Sequence, residues 1–174
     1  MLARFSLVLF LAGATVCGDV KTKVYETPSA CVKTYHVATG KVLTRSGVVE
    51  DPTVNSLIKS AVSAQMQRLN IAEADKNPDI EVRFIGGNSA GLQVYDPRVG
   101  DIAMWDIGAP VAVQGHTYKK TTLVMAVVET HTNRTLWAAQ CSDRFGDPAR
   151  MQERIDKAVQ KAFAKFPEKV ACGS

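Results

Sequence analysis

Residues 117–142 read TYKKTTLVMAVVETHTNRTLWAAQCS, and they contain the strongest strand signal of the chain. Every position from 123 to 128 is apolar, which is typical of a central strand covered on both faces. Residues 131–134 predict a turn, after which residues 135–142 return as the partner strand. The sequence therefore predicts a long hairpin around which the other elements must pack.

A helix and two strands are predicted before this hairpin. Asp51 followed by Pro52 is a typical helix start, and residues 77–78, Asn-Pro, mark the loop that ends the helix. The helical stripe consists of Val54, Leu57, Ile58, Ala61, Gln65 and Leu69. Apolar and polar side chains alternate over residues 80–84, which indicates a strand with one wet face, and residues 31–37 predict an earlier strand.

A second amphipathic helix is predicted after the hairpin, from Pro148 to Lys165, with Pro167 as its stop. Its apolar stripe consists of Met151, Ile155, Ala158, Val159, Ala162, Phe163 and Phe166. Two helices that each carry one apolar stripe can bury those stripes against a sheet. We therefore expect an α+β fold, a two-layer sandwich with a mostly antiparallel sheet and both helices packed on one face.

The first 18 residues, MLARFSLVLFLAGATVCG, have the layout of a secretory signal peptide. A basic residue, Arg4, precedes an apolar run that is much shorter than the roughly 20 residues needed to span a bilayer. We expect residues 1–18 to be a signal peptide and processing region, residues 19–30 an extended leader, and residues 31–174 a single domain. The chain is therefore expected to be exported.

The composition agrees with one folded, exported domain. Of the residues, 46% are hydrophobic and 22% are charged, and this composition is too apolar for a disordered chain. A length of 174 residues is too short for several domains. The net charge of +4 comes without the Lys/Arg runs of a nucleic-acid-binding surface, so we expect no nucleic-acid partner.

Four cysteines raise the question of which of them are modified. Cys17 follows the apolar run, as in bacterial lipoproteins, although Val16 stands where such proteins carry a small residue. Cys17 is therefore a candidate for lipidation, and the alternative is a soluble protein without a lipid. If three strands follow the first helix, Cys31 lies near Cys172; if four follow, Cys31 approaches Cys141. The disulfide candidates are therefore Cys31, Cys172 and Cys141.

No motif in the sequence predicts a catalytic residue, a cofactor or a metal ion. The three histidines, His36, His116 and His131, do not have the spacing of a metal site. One surface feature stands out instead, a basic stripe on the last helix formed by Arg150, Arg154, Lys157, Lys161 and Lys165. This stripe is a candidate for docking onto an anionic surface such as lipid headgroups or a cell-wall polymer.

Several short motifs, taken in order, resemble one known family. They are Lys33-Thr34-Tyr35-His36, Pro78-Asp79-Ile80-Glu81-Val82, Thr122-Leu123-Val124, Leu136-Trp137 and Lys165-Phe166-Pro167. Their order and spacing over residues 31–167 are similar to the bacterial envelope family of domain of unknown function 4136. The chain departs from that family in the lipidation motif and at Ala138-Ala139, where a basic and a small residue are usual.

The resemblance implies an often lipid-anchored α+β domain exposed to the periplasm, with no established enzyme activity and no catalytic residue to carry over. The expected location is therefore the periplasm or outer membrane of a bacterium. We therefore expect a non-enzymatic binding or scaffolding module whose partners are envelope components or another envelope protein. The alternative is a small secreted hydrolase with a site in residues 86–116, drawing on Asp96, Asp101, Asp106 and His116. A third hypothesis is a subunit that docks a partner through an exposed sheet edge or through Trp105.

Overall fold

The structure is a computed structural model that describes residues 19–44, 47–88, 121–143 and 148–167. These residues form one sheet and two helices. The strands are β1 (Asp19–Val24), β2 (Thr34–Val37), β3 (Lys41–Thr44), β4 (Gly47–Val49), β5 (Ala72–Glu73), β6 (Ile80–Asn88), β7 (Thr121–Glu129) and β8 (Arg134–Asp143). The helices are α1 (Pro52–Arg68) and α2 (Met151–Phe163), and a short 3-10 turn over Pro148–Arg150 leads into α2.

The sheet follows the order β1-β8-β7-β6-β2-β5, with β3 pairing both β6 and β4. The predicted hairpin is its centre, because β7 pairs antiparallel with both β6 and β8. On one side β1 pairs antiparallel with β8, whereas β2 and β3 both run parallel to β6. The α+β class is confirmed, and the sheet is mixed, because α1 is a crossover that returns the chain parallel to β2 and β3.

Helix α1 begins where the sequence predicts. The Asp51 carboxylate accepts hydrogen bonds from the backbone N–H groups of Thr53 and Val54, at 2.9 and 3.1 Å, and so caps the first turn. The helix ends earlier than predicted, at Arg68, because Asn70 adopts a left-handed backbone conformation with φ of 57°. The loop that follows contributes the two-residue strand β5.

Both helices bury their apolar sides in one core. Helix α1 contributes Ile58, Ala61, Val62 and Met66, and α2 contributes Ile155, Ala158, Val159, Ala162 and Phe163. The two helices contact each other and share this core with alternate residues of β6, β7 and β8. A separate cluster contains Ala126, Val128 and Ala138, with Tyr25, Ile85 and Val124 packed against it. The two-layer arrangement itself stays a prediction.

The predicted leader is the main correction to the domain boundaries. Residues 19–24 are extended, as expected, but they form β1, an integral edge strand that pairs with β8 from Asp19 opposite Ser142 to Val24 opposite Trp137. The physical reason is that Val20 packs against the core while the backbone of β1 supplies the second neighbour that β8 needs. The folded domain therefore begins before Cys31.

Gly40 and Gly86 offer a matched test of this packing. A Cβ on Gly40 would fall 2.1–2.5 Å from ring atoms of Phe84, whereas a Cβ on Gly86 meets nothing within 4 Å. We expect Gly40→Ala to lower the free energy of unfolding by about 1–3 kcal/mol, because a core ring must shift. Gly86→Ala should leave it unchanged or raise it by up to about 1 kcal/mol. Urea unfolding of both variants measures this, and equal effects would contradict the close approach.

Candidate functional site

The two ends of the sheet provide the reference points for the site. We call the end that carries Ile80, Glu129 and Arg134 the turn end, because the β7–β8 turn lies there. We call the opposite end, where β1 begins at Asp19 opposite Ser142, the start end. Residues 25–33, the crossing segment, connect β1 at one edge of the sheet with β2, and in doing so pass three intervening strands.

Glu129 holds the crossing segment at the turn end. Its side chain is 7% exposed and accepts hydrogen bonds from the Ser29 backbone N–H at 2.6 Å and the Ser29 hydroxyl at 3.0 Å. The Thr132 hydroxyl and the Arg134 guanidinium, the latter at 3.3 Å, donate to the same carboxylate. Arg134 also donates to the Ser29 hydroxyl at 2.7 Å and pairs with Glu26 at 2.6 Å. One buried carboxylate therefore joins the hairpin to a segment 100 residues away in sequence.

The hydrogen bonds also determine the charge state of Glu129. The Thr132 hydroxyl bond has the largest effect, and together with the donors on Ser29 and Arg134 it outweighs the opposing effect of burial. The pKa of Glu129 is lowered from its ordinary value of 4.5 to about 2. The group is therefore ionised throughout the physiological pH range, and both of its oxygens accept hydrogen bonds from donors of the chain itself.

Asp79 fastens the far end of the crossing segment in a similar way. One oxygen of its carboxylate accepts the backbone N–H groups of Lys33 and Thr34, at 2.8 and 2.9 Å, and the Thr34 hydroxyl at 3.0 Å. The Thr34 hydroxyl in turn accepts the Asp79 backbone N–H at 2.9 Å. Burial alone would raise the pKa of Asp79, but these bonds together lower it. Two of the quoted family motifs, one with Lys33 and Thr34 and the other with Asp79, are thus joined by hydrogen bonds, and we call this group the clasp.

The basic stripe on α2 is partly paired within the chain. Glu153 binds Lys157 at 2.5 Å and Arg150 at 3.3 Å, and these two bonds hold the pKa of Glu153 below its ordinary value. Arg154 lies 3.7 Å from Asp143. The Lys165 ammonium donates at 3.0 Å to the backbone carbonyl of Val20 on the edge strand β1. Docking of this stripe, which also contains Lys161, onto an anionic surface stays a prediction.

The described cysteines differ in state. Cys141 is buried and carries a thiol, whose Sγ lies 3.6 Å from the carbonyl oxygen of Ala158. The predicted alternative of a Cys31–Cys141 bridge is therefore not formed, in keeping with the three long strands, β6 to β8, that follow α1. Cys31 is exposed and disulfide-bonded. The other two candidates, Cys17 and Cys172, lie outside the described residues.

The remaining sites considered in the sequence are scattered or lie outside the described residues. His36 lies half-buried on β2 with its Nδ1 3.9 Å from Asp75, and His131 is exposed in the β7–β8 turn. Across the described ranges, no group of three or more His, Cys, Asp or Glu side chains is placed to hold a metal ion. Asp96, Asp101, Asp106 and His116 of the hydrolase alternative, and Trp105, lie outside those ranges. Neither described helix has the length and apolarity required to cross a bilayer.

Comparison with known proteins gives the family. The family model of the domain of unknown function DUF4136 matches residues 21–168, from the third residue of β1 to beyond the end of α2. The chain belongs to the DUF4136 family. A search of curated proteins finds no match.

Solved structures share the fold at low sequence identity. A DUF4136 family protein from Bacteroides thetaiotaomicron is 12% identical, with a TM-score of 0.56 over 88% of this chain and 97% of that one. A PelC dodecamer from Paraburkholderia phytofirmans is 10% identical, with a TM-score of 0.51 over 90% and 99% of the two chains. A PDZ domain protein from Parabacteroides distasonis is 11% identical, with a TM-score of 0.53 over 87% of this chain and 35% of that one. At these identities the likeness shows the fold.

Sequence reasoning did not find Glu129 or the role of Asp79. Asp79 lies inside a quoted motif, but nothing local shows that it binds Lys33 and Thr34. Glu129 ends a run of apolar residues, and a charged residue at the end of a buried strand is the signal that could have drawn attention to it. The donors that identify its role, above all Ser29, are distant in sequence.

Substitution of Glu129 provides a test of the cluster. We expect Glu129→Gln to lower the free energy of unfolding at pH 7 by about 1–3 kcal/mol, because an amide nitrogen cannot accept the bonds from Ser29 or Thr132. Since the folded pKa is depressed, the contribution of Glu129 is present above pH 4.5 and is lost as the pH falls towards 2. The difference between wild type and variant should therefore shrink over that pH window in urea titrations.

Glu26→Gln is the matched control for this substitution. Glu26 belongs to the same cluster through Arg134, but its side chain is 45% exposed. We expect it to change the free energy of unfolding by less than about 1 kcal/mol. The assigned role of Glu129 would be contradicted if the two variants changed the free energy of unfolding equally. It would also be contradicted if the difference in that free energy between wild type and Glu129→Gln did not depend on pH.

Proposed function

We propose that the protein is an exported bacterial envelope protein that acts by binding rather than by catalysis, and that copies of it associate with one another. The observation that carries the proposal is that two buried or partly buried carboxylates, those of Glu129 and Asp79, accept hydrogen bonds from the chain itself. The oxygens of Glu129 accept bonds from Ser29, Thr132 and Arg134, and Asp79 accepts bonds from the crossing segment. Carboxylates used in this way hold the fold together, and a general acid or base would need access to a substrate.

The fold-level likeness supports association. The PelC chain that resembles this one is part of a dodecamer and is matched over 99% of its length. Within the described ranges the large apolar side chains that remain exposed are Val24 and Val49. Val24 lies on β1 and Val49 on β4, and among the described strands each of these two has one neighbour. Two different open edges favour a head-to-tail contact, in which one edge of a copy meets the other edge of the next.

The start of the domain supports an anchor at the start end. If Cys17 carries a lipid, Gly18 alone separates it from Asp19, the first residue of β1. A chain extends by at most about 3.6 Å per residue, so the anchor would lie within about 7 Å of the start end. The turn end, with the Glu129 cluster, would then face away from the membrane and into the periplasm.

Export, anchoring and association are tested together with the full-length chain. We expect wild type, produced in a Gram-negative bacterium, to lose its first residues and to be recovered from the membrane fraction. Cys17→Ser should move the protein into the soluble periplasmic fraction, because the acylated thiol is removed. Native mass spectrometry of the purified wild type should give a multiple of the subunit mass.

One variant at an open edge and one control variant on α1 test the association. Val24→Lys should reduce the assembled share at least severalfold, because a charge replaces an apolar contact on the open edge. Ala64→Lys, at an exposed position of α1, should leave the assembled share unchanged. An uncut protein in the cytosol would overturn the envelope proposal, and a monomer at all concentrations would overturn association.

A further inference from the structure

We infer that Cys31 is joined to Cys172, so that a disulfide ties the C-terminal tail to the turn end and leaves Cys17 for acylation. The inference rests on the proposed export, because the bridge needs an oxidising compartment. It begins from the state of the described cysteines: Cys31 is disulfide-bonded, and Cys141 carries a buried thiol. The sequence contains two other cysteines, Cys17 and Cys172, and the geometry distinguishes between them.

The position of Cys31 is fixed by its neighbours on both sides. Ser29 is bonded to Glu129, and Lys33 is bonded to Asp79. Glu129 pairs with Ile80, the residue after Asp79, so both attachments lie at the turn end. Cys31 is midway between them and therefore lies at the turn end too. The adjacent residue, Val32, is buried in the core that the helices share with the sheet, so Cys31 lies near the helices.

Cys17 is too far from this position. It precedes Asp19 by two residues, so it must stay within about 7 Å of the start end. The sheet between the two ends is eight residue steps long on β7, from Thr121 to Glu129, or about 27 Å. A disulfide requires the two Cα atoms to be within about 7 Å. A Cys17–Cys31 bridge would therefore require β1 to leave the sheet.

Cys172 is within reach. Helix α2 runs back along β8, because Arg154 lies beside Asp143 at the start end, whereas the Phe166 ring packs 5.2 Å from that of Trp137. The residues after α2 therefore lie beside Trp137, between the two ends of the sheet, and the Lys165 side chain extends from there back to the Val20 carbonyl. Pro167 precedes Cys172 by five residues, which span up to about 17 Å. Trp137 is three residues from Arg134, about 10 Å along the strand, and Cys31 lies one to two strand spacings, about 5–10 Å, across the sheet from β8. The combined separation of up to about 14 Å is within the span of the tail.

Formation of the bridge is an oxidation with a defined balance. The two thiols lose two protons and two electrons and form one S–S bond. The electrons pass by thiol–disulfide exchange to a disulfide-bearing oxidant of the periplasm, which becomes a dithiol. Cys141 takes no part, because its thiol is enclosed in the core.

The test is peptide mapping of wild type recovered from the envelope without reduction. We expect one cross-linked peptide pair containing Cys31 and Cys172, and an intact mass about 2 Da below that of the reduced chain. Cys31→Ser and Cys172→Ser should each abolish the mass deficit and lower the thermal midpoint by roughly 5–15 °C. Cys17→Ser and Cys141→Ala should keep the mass deficit.

The outcomes separate this inference from the proposed function. If the protein is cut and found in the envelope, but Cys31 is joined to Cys17 or carries a thiol, the pairing is overturned while the envelope proposal stands. If the protein stays uncut in the cytosol, the envelope proposal fails. In that case the purified chain is refolded in a glutathione redox buffer, where a Cys31–Cys172 peptide pair still supports the geometry and any other pairing overturns it.

Discussion

The hydrogen bonds of the buried Glu129 carboxylate hold the crossing segment against the central hairpin. A charge with 7% exposure is tolerated because several donors surround it, and Ser29 supplies two of them from the other end of the chain. The crossing segment is thereby held against the end of the hairpin. With the clasp between Asp79 and Thr34 it leads the chain into β2 in register with β6. The central hairpin and the parallel strands beside it are thus joined by polar contacts as well as by the core.

This attachment also separates the two ends of the molecule. The chain enters the sheet at Asp19, at the start end, and passes the turn end at Cys31 before it forms the parallel strands. The proposed anchor before Asp19 and the disulfide at Cys31 would therefore act at opposite ends of the domain. In the proposed envelope setting, the first holds the domain at a membrane and the second secures the tail after α2. The buried thiol of Cys141 belongs to the core and to neither of these ends.

The sequence predicts well those elements whose signal is local. The hairpin was predicted from the apolar run at 123–128, and α2 from a stripe whose members from Ile155 to Phe166 are buried in the structure. The stripe of α1 was predicted in part: Ile58 and Ala61 are buried, but Val62 and Met66, which the structure also buries, were not included. The two helices contact each other, so α1 is buried on more than the side that faces the sheet. A single apolar stripe at helical spacing does not reveal this second buried side.

Elements defined by distant partners could not be predicted in the same way. Strand β1 reads DVKTKV, in which charged residues alternate with valine and threonine, but six residues are too few to distinguish an edge strand from an extended leader. Strands β3, β4 and β5 have two to four residues each and exist through their neighbours. The Glu129 cluster depends on Ser29, and no local pattern joins residues 100 positions apart.

Residue-resolved hydrogen exchange of the native protein reports whether Glu129 holds the crossing segment in place. If Glu129 holds the crossing segment, the backbone N–H of Ser29 and those amides of β1 that face β8 exchange slowly, by roughly 100-fold or more relative to an unfolded chain. They should be protected together with β7 and β8. Exchange of Ser29 and β1 at unfolded rates, while the hairpin stays protected, would contradict the account.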